Sequence, residues 1–547
     1  MALEKIKLNI KGMTCDHCAA TIGKKVAALD GVAAQAINYP ENSGEIQFNP
    51  DKISEQEIVD SINSIGSYRV AGKLKSSDSP AKPLDLIIIG GGSAAFAAAI
   101  RAAELEKSVL MINDGLPIGG TCVNVGCVPS KTLIRAAEQL YDANHPRFSG
   151  ITVGAGGLDF KTLIRQKNQL VDDLRTSKYI DVLKDNPYVS IRQAHATLVD
   201  RNTVRAGDQT FTADHILMAT GSTTYAPDIP GLAETDYLTN ETLYQLDELP
   251  EHLIVLGGRY IALENAQMFA RLGSKVTVLQ RSLRILPDEM PDVTETLKEL
   301  LEAEGIAIKT GVQFKSIRSK PNGIEIKAVV KDNEETISGS HLFVATGRKG
   351  KTVEMGIENV GVERYGKDFI RTNEFLQTSV ANIYAAGDVT GDHLFVYAAA
   401  YEGALAVDNM FGEKPVAKDY SVFPWVIFTD PQVAGVGMDE NQAYQNQIDY
   451  EVSTVQLKDV PRSLAARNTR GFIKLLRNKA DNKLIGARIL ASEGSELLME
   501  ISLAIRFGIT VTELKKMFHP YLTLSEGVKI AAIAFDKDVK KLSCCAV

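Results

Sequence analysis

One order of elements occurs twice in this chain and narrows its fold more than any other feature. An apolar stretch over residues 84–89 runs into Gly90-Gly91-Gly92-Ser93-Ala94-Ala95 and then into an alanine-rich helix. The order returns at residues 253–256, followed by Gly257, Gly258, a helix through Arg271 and a strand over 275–279. A buried strand, a glycine turn and a helix open the βαβ unit of dinucleotide-binding folds. There the glycines let the backbone approach a pyrophosphate, and the helix N-terminus faces its charge. Two such Rossmann-like units imply two nucleotides.

Each copy departs from the full pattern. An acidic residue is expected on a ribose about 20 residues after the first glycines, yet Asn113 stands there, after the strand over 109–112 and with Asp114 beside it. In the second copy Arg259 takes the place of the second glycine, and the next strand ends in Gln280-Arg281-Ser282-Leu283-Arg284. No carboxylate is present there to hold an NAD ribose, whereas Arg281 and Arg284 suit a 2′-phosphate, so NADPH is expected over NADH. Two solvated surface arginines are the plain alternative.

The 547 residues leave room for about three or four domains, with 45% hydrophobic and 23% charged residues as in ordinary globular chains. Sixty basic against 68 acidic residues, a net charge of -8, offer no field for nucleic acid or an anionic membrane. No stretch reaches the roughly 18 apolar residues of a membrane span, and Met-Ala-Leu-Glu-Lys-Ile-Lys lacks a signal-peptide core. A cytoplasmic location is expected. Six cysteines are too few for a secreted disulfide framework, so reduced or cycling thiols are expected.

Those cysteines form three close pairs: Cys15 and Cys18, Cys122 and Cys127, Cys544 and Cys545. The first lies in a unit over residues 1–71 whose apolar periodicity reads βαββαβ, ferredoxin-like, ahead of a polar linker over 72–83. Gly12-Met13-Thr14-Cys15-Asp16-His17-Cys18 puts two thiols at a strand-to-helix turn, where a helix N-terminus favours thiolate. Two thiolates without a further fixed ligand suit a soft ion such as Cu(I) or Hg(II), with a redox or incidental pair as the alternative. His17 is expected in a solvated loop. The unit resembles the heavy-metal-associated domain family.

Cys122 and Cys127 lie in Gly-Gly-Thr-Cys-Val-Asn-Val-Gly-Cys-Val-Pro-Ser-Lys. Pro129 suits a first helical turn, so Cys127 is expected at a helix start near the cation Lys131, both of which favour thiolate. With Ala219-Thr220-Gly221, Ala345-Thr346-Gly347-Arg348 and Tyr384-Ala385-Ala386-Gly387-Asp388, residues 84–547 resemble the flavoprotein disulfide reductases. The resemblance implies FAD held at its ribityl chain by Asp388, and Cys127 facing the flavin beside a Lys131 and Glu264 pair, with Cys122 as the exchanging thiol. It further implies nucleotide contacts from Gly90, Gly92, Ala95, Gly115, Thr121, Lys131, Ala196, Gly221 and Val396, and from Gly257, Tyr260, Arg281 and Arg284. The implied division is an FAD-binding domain over 84–235 and 366–419, an NADPH-binding domain over 236–365, and an α+β dimerisation domain over 420–547. A homodimer follows, with the active site completed by the partner.

Disulfide-substrate members of that family carry a His five residues before a Glu. Five residues before Glu526 stands Tyr521, and His519 is out of register. A disulfide needs a proton delivered to its leaving thiolate, which a metal ion taking two electrons does not. With Ser543-Cys544-Cys545-Ala546 at the end, the whole resembles the mercuric reductases. That implies metal-site roles for Tyr179 and Tyr521, with Cys15, Cys18, Cys122, Cys127, Cys544 and Cys545 as mercury ligands. The tail of one subunit would serve the other's active site, small thiols would carry the ion, and a membrane mercury transporter would hand it over. The alternatives are a thioredoxin- or glutathione-type reductase using Cys544 and Cys545 as a redox relay, and a copper or other soft-metal binding protein.

Overall fold

The computed structural model describes residues 3–13, 16–39, 41–66, 68–74, 83–154 and 156–541, and the chain divides into two compact units between Pro83 and Leu84. In the first unit β1 (Glu4–Lys11), α1 (Asp16–Ala27), β2 (Val32–Asn38), β3 (Ser43–Phe48), α2 (Glu55–Asn63) and β4 (Arg69–Leu74) follow the expected order. The sheet runs β2-β3-β1-β4, with every pair antiparallel. Alternation in β1 turns Ile6, Leu8 and Ile10 onto Ile22 and Val26 of α1 and Ile58 and Ile62 of α2. Ser54 and Glu57 close a reciprocal capping box that fixes the start of α2.

Two expectations are corrected in this unit. The linker does not begin at Gly72, because Gly72 to Leu74 continue β4 against β1, with Leu74 opposite Lys7. His17 lies in α1 rather than in a loop, and its carbonyl accepts a 2.8 Å hydrogen bond from Thr21 Oγ1 one turn on. Residues 75–82 of the linker lie outside the described residues.

The second unit opens with β5 (Leu84–Ile89), α3 (Ser93–Glu104) and β6 (Val109–Asn113), β5 and β6 being parallel neighbours. Two helices, α4 (Gly120–Val125) and α5 (Cys127–Asn144), follow, then α6 (Phe160–Arg175). With β7 (Val189–Gln193), β8 (Ala196–Leu198), β9 (Thr203–Ala206) and β10 (Gln209–Met218), the sheet runs β7-β6-β5-β10-β9-β8. The second nucleotide unit consists of β11 (His252–Leu256), α7 (Tyr260–Leu272), β12 (Lys275–Leu279), β13 (Ala307–Lys309) and β14 (His341–Val344). All pairs are parallel in the order β13-β12-β11-β14. β11 is buried on both faces, which is why Leu253 to Leu256 read as an unbroken apolar run, and β12 beside it is buried from Val276 to Leu279 with Thr277 among its apolar residues.

The chain then returns to the first sheet. β15 (Ile383–Ala385) pairs in parallel with β10, which delivers Gly387 and Asp388 to the strand ends that also carry the first glycine turn. After α8 (Val396–Phe411), the antiparallel sheet of β16 (Trp425–Ile427), β17 (Gln432–Gly437), β18 (Tyr450–Gln456), β19 (Phe472–Asn478) and β20 (Leu484–Ala491) runs β16-β17-β20-β19-β18. The next helix begins as a 3-10 turn, Gly494–Leu497, entered from Glu493 at a left-handed φ of 56°, and then becomes α9 (Leu498–Arg506). The last helix described here, α10 (Glu526–Ile533), is buried along its whole length. Among the described residues, no helix is long and apolar enough to cross a membrane.

Candidate dithiol active site

Gly126 breaks the backbone between α4 and α5, so Cys122 ends up inside one helix and Cys127 opens the next. A Cβ on Gly126 would lie 2.9 Å from the Thr121 carbonyl oxygen, which makes glycine the residue that lets the two helices close up. Both thiols are unoxidised and half-buried. The Cys122 thiol hydrogen-bonds to Cys127, and with help from the Lys131 ammonium this lowers the Cys127 pKa to about 7 against the opposing effect of burial. For Cys122 the same hydrogen bond, burial and the neighbouring thiolate all push the pKa up. The pair is therefore polarised, with a thiolate at the helix start and a thiol beside it.

Lys131 Nζ sits 2.7 Å from Glu264 Oε2 and 4.7 Å from the centre of the Phe428 ring. Glu264 lies on α7, is almost closed to solvent, and its second oxygen accepts a 2.9 Å hydrogen bond from the Phe428 amide. Leu133, Ile134 and Ala137 of α5 share one core with Ala262, Leu263 and Ala266 of α7, and this packing holds the ion pair in place. Tyr179 is half-buried and packs edge-on against Phe96 at 5.0 Å. Burial raises its phenol pKa, and the charges of Cys122 and Cys127 add to the rise. The structure thus brings Cys122, Cys127, Lys131, Glu264 and Tyr179 into one neighbourhood.

Two clefts carry half of the expected nucleotide contacts. One, of about 870 Å³, is lined by Gly90, Gly92, Gly115, Thr121, Ala196 and Gly221, together with Asn113, Thr220 and Ser222. Ser222 Oγ donates to Asp388 Oδ2 at 2.8 Å and accepts from Arg348 Nε at 2.6 Å, so a serine between two charges orients Asp388. Ala95 is buried in α3 behind this cleft, and Val396 opens α8. The other cleft, of about 720 Å³, is lined by Arg259, Tyr260, Gly347, Phe395 and Trp425. Tyr260 stacks on Trp425 with centroids 5.9 Å apart and planes at 14°. Gly257 turns at a φ of 116°, where a Cβ would strike the Ala345 carbonyl. Arg281 and Arg284 are not among the residues lining this cleft, and neither guanidinium has an ion-pair partner among the described residues. Arg259 differs, being bonded to Asp288.

Tyr521 lies on the surface of the C-terminal domain, 52% exposed, beside the fully exposed Phe518. His519 is turned away into a 2.6 Å contact between its Nε2 and Glu500 Oε1. On α9 and just after it, Met499, Leu503 and Phe507 form an exposed apolar stripe at helical spacing. Cys18 lies in the first turns of α1. Cys15, Cys544 and Cys545 lie outside the described residues. Sequence reasoning did not single out Trp425, Phe428 or Ser222 for this site; only Trp425 carried a flag, as the one tryptophan of the chain.

A dithiol beside an ion pair with a buried carboxylate, two nucleotide clefts and a dimer-type apolar stripe define a pyridine-nucleotide-driven dithiol oxidoreductase. The model of the pyridine nucleotide-disulphide oxidoreductases matches residues 84–403, its dimerisation domain matches residues 423–532, and the heavy-metal-associated domain matches residues 7–67. A mercuric reductase of Lysinibacillus sphaericus is 39% identical over 100% of both chains. One of Streptomyces lividans is 42% identical over 84% of this chain and 98% of its own. Among solved structures, the HOCl-induced flavoprotein disulfide reductase RclA from Escherichia coli superposes with a TM-score of 0.74 at 28% identity, covering 82% of this chain and 99% of its own. The chain belongs to the mercuric reductase family.

Proposed function

We propose that this protein reduces thiolate-bound Hg(II) to Hg(0) with electrons from NADPH, using FAD and the Cys122–Cys127 dithiol. The balance is one NADPH and one proton per bis-thiolate Hg(II), giving NADP⁺, Hg(0) and two thiols. The observation that carries this reading is the polarised thiol pair beside Lys131 and Glu264, in a chain whose C-terminal domain presents Tyr521 where a disulfide reductase needs a histidine.

The residues of the larger cleft fit FAD. Thr220 Oγ1 is buried there without a hydrogen-bond partner, and a Cβ on Gly92 would project into the cleft, meeting only the Gly120 Cα at 3.7 Å. Asp388, held by Ser222, would accept from a ribityl hydroxyl. When bound, FAD supplies two-electron passage between NADPH and the dithiol site. The chain's own residues do the rest. Cys122, the exchanging thiol, takes the incoming Hg(II) from its carrier first, and its proton leaves on the displaced small thiolate. The Cys127 thiolate, about half ionised at pH 7, then displaces the second small thiolate and completes a two-thiolate site, which is what a soft, low-coordinate ion prefers. The Lys131 ammonium balances the negative charge, and Glu264 keeps that ammonium in place. Tyr179 and Tyr521 border the ion with phenols in place of a proton-donating imidazole. Arg281 and Arg284, without carboxylate partners, receive the 2′-phosphate of NADPH.

The protein acts as a homodimer on Hg(II). Cys15 with Cys18, and Cys544 with Cys545 of the opposite subunit, pass the ion inward by thiol exchange, so that it is never free. A cytoplasmic location and receipt from a membrane transporter complete the reading. The test is NADPH oxidation by the purified protein in excess small thiol, started with Hg(II) or with glutathione disulfide. Turnover with Hg(II) and none with the disulfide is expected; turnover with the disulfide alone overturns the reading.

A further inference from the structure

We propose that Asn113 is the residue that grips the adenosine ribose of FAD, as a neutral hydrogen-bond acceptor whose direction is fixed by its neighbours. This rests on reading the larger cleft as the FAD site. A dinucleotide fold normally ends its second strand in a carboxylate that accepts from ribose hydroxyls. Here β6 ends in a carboxamide, only 4% exposed, yet lining the cleft. Its Nδ2 donates to the Leu116 carbonyl at 3.0 Å and to Gln193 Oε1 at 3.1 Å, so both amide hydrogens are committed. Oδ1 is left facing the glycine turn, 2.4 Å from where a Cβ on Gly91 would sit, and no hydrogen bond among the described residues reaches it. Gly91 is what permits this approach.

The two carbonyl-type neighbours explain the departure from a carboxylate. An Asp at 113 would point an anionic oxygen at the Leu116 carbonyl, an acceptor that cannot turn into a donor. Nor does a nearby acid take over the role. Asp114 is drawn outward, its side chain half exposed, with one oxygen on His195 Nδ1 at 2.9 Å and the other on the Gly115 amide at 2.8 Å. Glu354 lines the mouth of the cleft with an exposed side chain, and its carbonyl is taken by His195 Nε2 at 3.0 Å. A neutral acceptor with two lone pairs remains in reach of the ribose, and its hydrogen bonds are weaker than those of a carboxylate.

The experiment strips flavin from the full-length protein and measures rebinding through the quenching of flavin fluorescence. The probes are FAD, FMN and an FAD whose adenosine ribose lacks one hydroxyl. In the native protein the deoxy analogue is expected to bind about 5- to 10-fold more weakly than FAD. Asn113→Ala is expected to weaken FAD by about 10-fold, to leave FMN unchanged, and to lose the difference between FAD and its deoxy analogue. The analogue tests the native chain even if the variant folds poorly. Equal binding of FAD and the deoxy analogue by native protein overturns the inference. So does discrimination that survives in Asn113→Ala but disappears in Glu354→Gln. Failure of the native apoprotein to take up FAD at all would instead refute the reading of the cleft.

Discussion

Replacing Cys122 by Ala tests how the active thiolate is made. In the native pair Cys127 has a pKa of about 7, so roughly half of it is thiolate at pH 7. The hydrogen bond from Cys122 is the largest cause of that lowering, the Lys131 charge contributes less, and burial works against both. Removing the Cys122 thiol leaves burial and the Glu264 charge opposed by the lysine and a backbone hydrogen bond, each a smaller influence than burial, so the Cys127 pKa is expected to return to at least the ordinary thiol value of about 8.5. At pH 7 the thiolate fraction then falls to about 3% or less, and alkylation of Cys127 slows by at least about 15-fold. The sign is specific, since a lowered thiol pKa speeds alkylation on the acid side and changes nothing once both proteins are fully ionised above about pH 10. Iodoacetamide labelling of reduced protein from pH 5 to 10, with the Cys127 peptide quantified by mass spectrometry, gives the inflection for each. An inflection that stays near 7 in Cys122→Ala would refute the reasoning and assign the thiolate to Lys131 and the helix start.

Other outcomes follow from the same geometry. Lys131→Met leaves Glu264 buried with only the Phe428 amide, and is expected to cost about 3 kcal/mol in denaturant unfolding. Loss of both Arg281 and Arg284 is expected to raise the KM for NADPH by about 10- to 100-fold while the KM for NADH stays unchanged in steady-state kinetics, as removal of charge-assisted phosphate contacts should. Tyr521→His is expected to confer no efficient glutathione disulfide turnover, because His519 already shows that an imidazole in this loop can be drawn off to Glu500. Efficient turnover by that variant would contradict the role given to Tyr521.

Much of this architecture is legible in the sequence because it depends on local order. β5 and β12 lie where their apolar runs predict, α5 begins at the cysteine ahead of Pro129, and α2 begins at its capping box. Ends and transitions are less legible, since the pairing of Leu74 with Lys7 and the left-handed Glu493 are decided by tertiary contacts. The site shows the same division. The thiols, Lys131 and Asp388 are visible as motifs, but what orients them comes from far along the chain. The Phe428 amide reaches Glu264 across 164 residues and Ser222 reaches Asp388 across 166, and no spacing rule encodes either. Asn113 reads only as a missing carboxylate in the sequence; the reason for the amide appears once Leu116 and Gln193 are seen around it.

The most direct test of the central claim is the yield of elemental mercury per NADPH. Purified protein in excess small thiol receives Hg(II), and volatile mercury swept from the headspace is counted against the NADPH consumed. One Hg(0) per NADPH is expected, falling to none in Cys127→Ala that still holds its flavin. NADPH consumed without Hg(0), or Hg(0) released equally well without Cys127, would contradict the account.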